Sequence, residues 1–132
     1  MGRIDKDEVG YRQQMIMQCI WEAGGTATVP DIDIRLEKKC GTKLSRSALN
    51  TMIQTLIQKG LAEPDGKIHQ SIVYRACISE EEFRTRELMR VKKLTFDNST
   101  DIMAQTLINS LEDAEELDKI RDYLEKRKKK VK

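Results

Sequence analysis

The chain has 132 residues, 39% of them hydrophobic, with a mean hydropathy of −0.59, which allows one modest core or a smaller core plus an oligomer interface. No apolar run approaches ~20 residues and no signal-peptide pattern opens the chain, so a membrane span and secretion are not expected and a cytoplasmic location is. Net charge is only +2, so the average composition points to no particular partner and the placement of charge must be read instead.

From about Asp7 to Ala23 the residues Val9, Met15, Ile16, Cys19 and Ile20 recur at helical spacing, and Gly24-Gly25 ends the segment. Trp21, at the end of this helix, reads as a core anchor. Thr28-Val29-Pro30-Asp31 has the chemistry of a helix start, with Thr28 as cap and proline tolerated in the first turn. The second predicted helix runs through Ile32, Ile34 and Leu36 to Cys40, where Gly41 breaks it. A third starts at the N-cap Ser45 and stops at Gly60. Leu61 to Pro64 and Lys67 to Ala76 suit two strands around Asp65-Gly66, a strong hairpin signal. Ile68, Ile72, Val73 and Tyr74 would supply the apolar side, and Pro64 argues for an edge. Three helices followed by a β-hairpin is the order of a winged helix.

Beyond Cys77 the pattern turns helical again. Ser79 caps a run of Glu80, Glu81 and Glu82, acids that suit a helix N-terminus. Three helical segments follow, with apolar stripes of Phe83, Leu88, Val91 and Leu94, then Ile102, Met103, Leu107 and Ile108, then Leu117, Ile120, Tyr123 and Leu124. These residues are too polar to build a large core, and an apolar stripe without an internal partner commonly finds one in another chain. The expected division is therefore 1–78, a winged helix, and 79–132, a helical dimerisation region. That second region would use the stripe residues above together with Phe96. Packing of these helices back onto the first domain is the alternative.

Residues 38 to 62 run for 25 positions without Asp or Glu. From Arg35 to Gly60, six cations (Arg35, Lys38, Lys39, Lys43, Arg46, Lys59) face one acid, Glu37. Within the third helix Leu49, Met52, Ile53, Leu56 and Ile57 form an apolar face. Cations, amides and hydroxyls lie opposite, which suits duplex DNA: cations serve phosphates, while Arg, Asn and Gln pair bidentately with bases. Arg46, Ser47, Asn50 and Gln54 are expected at bases or nearby phosphates, with Lys43, Thr51 and Lys59 anchoring the backbone. Lys67, His69 and Gln70 are the reachable groups of the wing, and Thr28 could offer a phosphate its hydroxyl and nearby amides. The bland alternative is a solvated helix that is short of acid by chance.

Enzyme signals are weak throughout. The lone His69 has no nucleophile or carboxylate in view, no P-loop, GxGxxG or HExxH pattern occurs, and the acid groups fit helix starts. No cofactor is expected. The three cysteines, Cys19, Cys40 and Cys77, lack CxxC or Cys/His spacing, which argues against both a disulfide framework and a metal site. Cys19 and Cys77 read as small buried hydrophobes. The basic run Lys126 to Lys132 reads as a solvated helix end. A protein-interaction adaptor built on a winged-helix core, with the helical tail as docking surface, is the competing reading.

Met15-Ile16-Met17 with Ile20-Trp21, Ser45 with Thr51, Ile53 and Leu56, then Lys59-Gly60-Leu61, Tyr74 after the hairpin and Phe96 in the tail together resemble the penicillinase-repressor family of bacterial transcription regulators, the BlaI/MecI/CopY type. The resemblance implies a homodimeric winged-helix repressor bound to double-stranded operator DNA, with intertwined C-terminal helices. Three departures bear on what carries over. Ala48 stands where the family commonly has Thr, which changes one contact of the third helix. No cysteine follows Cys77, so the cluster of the copper-responsive branch is missing. No Asn-Phe pair occurs, so the chain offers no positive sign of an antirepressor protease or sensor as partner.

Overall fold

A computed structural model of the protein describes residues 9 to 131. The expected helix start at Asp7 lies outside the described residues. Helix α1 (Tyr11–Glu22) directs Ile16, Met17, Cys19 and Ile20 inward, the face set by spacings of three and four. Strand β1 (Thr26–Thr28) leads into α2 (Val29–Cys40). There the Thr28 hydroxyl accepts from the Asp31 N–H at 3.3 Å, Pro30 sits in the first turn, and Gly41 closes the helix at φ 73°. Ile34, expected inside, is 57% exposed, because it lies two residues, or about 200°, away from both Ile32 and Leu36, which are fully buried.

Helix α3 (Arg46–Gln58) is capped by the Ser45 hydroxyl, which accepts from the Ala48 N–H at 3.1 Å. Its end is a left-handed turn at Gly60 (φ 75°), with the Leu61 N–H returning to the Leu56 carbonyl at 3.0 Å. Leu49, Ile53 and Leu56 are buried, and Met52 and Ile57 pack half-buried against the same core.

The hairpin differs from expectation in its turn. Strand β2 (Ala62–Ile68) runs straight through Asp65-Gly66, and the reversal before β3 (Ser71–Ala76) is made by His69 and Gln70, both at positive φ. Pro64 pairs with Tyr74 and Lys67 with Ile72, so two β2 residues face the single residue Val73. That is a bulge, and Gly66 at φ 80° supplies it. A short segment with turn chemistry has been used to bend a strand. Ile68 and Ile72 lie towards the exposed tip, and the buried residues of this pair are Ala62 at the start of β2 and Val73 and Tyr74 in β3. β3 is the centre of an antiparallel sheet ordered β1-β3-β2, with β2, and hence Pro64, on an edge. β1 was not expected; three residues are too few for alternation to register.

Helix α4 spans Glu80–Thr95, with the Ser79 hydroxyl accepting from the Glu82 N–H at 3.1 Å. α5 (Thr100–Asn109) is capped by Ser99, and α6 spans Ala114–Val131. The chain divides into two compact units at Arg86/Glu87, later than the expected boundary after Ile78. Phe83 explains the shift. It is buried in the first unit's core with its ring centroid 5.4 Å from that of Trp21, whose indole N–H donates to the Ile78 carbonyl at 2.9 Å. Phe83 therefore leaves the set of candidate interface residues, while Trp21 is the core anchor that was expected.

In the second unit no described residue is buried. Asp97 and Asn98, both at positive φ, make the turn between α4 and α5, a conformation these two residue types tolerate.

Candidate nucleic-acid interface

The buried face of α3 dictates what its other face can do. Ser47, Asn50, Thr51, Gln54 and Gln58 fall within about a third of a turn of one another and are all exposed. Asn50, Gln54 and Gln58 have no side-chain partner among the described residues, so each amide keeps both a donor and an acceptor for a base edge. Gln58 was not anticipated, although it continues the Gln54 position by one turn. Thr51 is more constrained, since its hydroxyl donates to the Ser47 carbonyl at 3.0 Å. With its hydrogen committed, that oxygen can only accept. It suits an exocyclic base amine better than a phosphate oxygen, which also only accepts.

At the N-terminal end of α3, Lys43 and Arg46 are exposed. They border an open depression of about 460 Å³ with Asp33, Leu44 and Ser45. Asp33, from α2, accepts from the Arg46 guanidinium at 3.5 Å. Elsewhere on α2, Arg35 lies 3.0 Å from Asp31 and 4.0 Å from Glu22, and the Lys39 ammonium donates to Glu22 of α1. That hydrogen bond to Glu22 raises the Lys39 pKa. The cationic excess counted along the sequence is thus smaller in space, because α1 and α2 bring Glu22, Asp31 and Asp33 against Lys39, Arg35 and Arg46. Lys38 and Lys43 carry no ion pair among the described residues, and Lys59 is half-buried.

Lys67, His69 and Gln70 are exposed together at the hairpin end. A Glu63–Arg75 ion pair braces the same hairpin across directly opposed positions. Thr28 is half-buried at the start of α2, and its environment suits a phosphate poorly: Pro30 has no N–H and Asp31 places a carboxylate in the first turn. Of the cysteines, Cys19 is buried, Cys40 half-buried and Cys77 exposed. Cys77 departs from expectation because it follows the last residue of β3, where only its backbone is engaged, donating to the Leu61 carbonyl at 2.8 Å. Burial pushes the Cys19 thiol up to about 11, so it stays protonated and acts as packing.

The arrangement is an α3 face of amides and hydroxyls, a cationic end at Lys43 and Arg46, and a polar wing. Comparisons with known proteins bear on the fold and the family. In fold the chain is similar to RosR of H. salinarum, at 19% identity and a TM-score of 0.53, covering 93% of this chain and 96% of that one. It is likewise similar to a structure described as a complex of RosR-SG, at 18% identity and a TM-score of 0.54, covering 98% and 100%. These likenesses establish the fold, a winged helix followed by helices. No curated protein matches the chain. The sequence profile of the penicillinase repressor matches residues 9–126, and the chain therefore belongs to the penicillinase repressor family of DNA-binding transcriptional regulators.

Proposed function

We propose that the protein represses transcription as a homodimer that occludes a pseudo-palindromic operator. Two α3 helices would occupy successive major grooves, about 34 Å apart on one face of the duplex. The observation that carries the reading is the exposed α3 surface, where the side chains of Ser47, Asn50, Gln54 and Gln58 have no partner among the described residues, on a helix without acids. Arg46, Lys43 and Lys59 would contribute cations at the two ends of that helix, and Lys67, His69 and Gln70 would reach the flanking backbone from the wing. Thr51 would accept from a base.

Dimerisation is supported by the second unit, whose apolar side chains from Leu88 to Leu124 are nowhere buried within the chain. Val91, Phe96, Met103 and Ile120 are half-exposed, and Leu94, Ile102, Leu107, Ile108, Leu117 and Leu124 are exposed. A second copy would cover them, in the cytoplasm where the operator lies. Coupling two half-site contacts through one interface multiplies their effect, so loss of the dimer would release the operator.

Asn50→Ala tests the reading. Operator affinity is expected to fall by about 1–3 kcal/mol with the thermal midpoint unchanged, and the parent's affinity to drop steeply as salt rises. Binding by the variant equal to the parent's, or affinity indifferent to salt, would favour an adaptor surface and defeat groove reading.

A further inference from the structure

Asp33 is brought to the end of α3 by tertiary folding, since it lies on α2, thirteen residues before Arg46. Its side chain is only 14% exposed, whereas the Arg46 side chain is 55% exposed, and the two meet at 3.5 Å. A carboxylate beside a polyanion-facing arginine weakens that arginine's hold on any phosphate. An acid at this place therefore has a cost in raw affinity.

We propose that Asp33 is the positioning residue that turns Arg46 from a phosphate contact into a reader of sequence. The proposal rests on the DNA-facing assignment of α3 made above. A guanidinium offers five N–H donors in a fixed fork. Asp33 takes one from Nη2, and enough remain for the two-donor pairing with guanine O6 and N7. A phosphate drawn to the same guanidinium would place a second anion beside Asp33, with one cation between them. A guanine edge is uncharged and meets no such repulsion. The carboxylate also restricts the arginine before DNA arrives, so less side-chain freedom is lost on binding. Both effects favour a neutral, correctly placed acceptor over the charged backbone. The depression lined by Asp33, Lys43, Leu44, Ser45 and Arg46 leaves room on the open side of the pair for such an edge.

The test uses the full chain and two probes: a duplex recovered by repeated selection of a random pool with the parent protein, and the unselected random-sequence duplex. Asp33→Asn preserves size and shape while removing the charge, and Asp33→Ser removes the charge by a second route should the amide disturb α2. Either variant is expected to bind random duplex several-fold more tightly, with a log–log salt slope steeper by about 0.9, as for one additional phosphate neutralised. The ratio of selected to random affinity is expected to fall about tenfold. In an Arg46→Ala background the same change at position 33 should alter neither slope nor ratio, which a purely structural role for Asp33 would not produce. Unchanged slope and ratio in the single variants, or equal shifts with and without Arg46, overturn the proposal. A parent chain that selects no sequence from the pool removes the underlying DNA-facing reading, and this proposal with it. A parent that selects well while Asp33→Asn is silent defeats only the role of Asp33.

Discussion

Up to Arg86 the helices bury most of their apolar residues, with Tyr11 and Ile34 as exceptions, and beyond it they bury none among the described residues. α1, α2 and α3 together close a core in which Ile16, Met17, Ile32, Leu49, Ile53 and Leu56 are essentially inaccessible. In the second unit Leu107 is 59% and Leu124 57% exposed, and α5 and α6 contain no buried residue. The helices of the two units are comparable in length and equally well formed, so the contrast lies in packing and not in local structure. Isolated helices of 10 to 18 residues are marginal in water without a packed face. The first unit therefore carries its own packed core, and under the proposed function the second would draw its stability from the partner copy that covers it. A repressor built this way can lose its grip on an operator without unfolding the part that reads DNA.

The sharpest way to test that contrast is to remove the same kind of side chain from each unit. Ile53→Ala leaves a hole between α3 and the rest of the core and is expected to lower stability by about 2–5 kcal/mol, read from urea unfolding. Leu107→Ala removes similar bulk from α5 and should leave the unfolding of the first unit where it was. Equal losses for the two would mean that both units share one cooperative core. Next in size is Leu107→Glu, which places a charge in the proposed interface. Light scattering should then report a monomer, and operator affinity should fall by about a hundredfold with the loss of the second half-site. A charged variant that stays dimeric would move the interface away from α5.

The same contrast explains what could be read from residue order alone. Helix ends were legible because they are local chemistry: Thr28, Ser45 and Ser79 cap within three residues, and Gly41 and Gly60 adopt the left-handed turns that end α2 and α3. The α3 faces were legible from periodicity. What escaped depends on contacts distant in sequence. The Asp65-Gly66 signal was real, but its pairing with β3 made it a bulge and passed the turn to His69-Gln70. Phe83 looked like the first residue of a dimer stripe until Trp21, on another helix, was found beside it. The charge count overstated the cationic excess for the same reason, since Glu22 reaches Arg35 and Lys39 from α1 and Asp33 reaches Arg46 from α2. Gln58 alone was missed with its signal in plain view, one turn beyond Gln54.

The wing supplies the smallest effect and separates stability from use within the first unit. Gln70 holds φ 65° at the second position of a two-residue turn, where a side chain is strained and glycine is favoured. Relieving that strain with Gln70→Gly is expected to stabilise the protein by about 0.5 kcal/mol, a shift of a few degrees in thermal midpoint, because the relief slightly exceeds the added freedom of the unfolded chain. If the side chain also touches the DNA backbone, affinity should fall modestly and uniformly across sequences while stability rises. Opposite movement of the two measurements would identify the strain as retained for binding. A gain in stability with binding untouched would leave Lys67 and His69 to make the wing contact, and a loss of stability would mean that the glutamine side chain braces the turn.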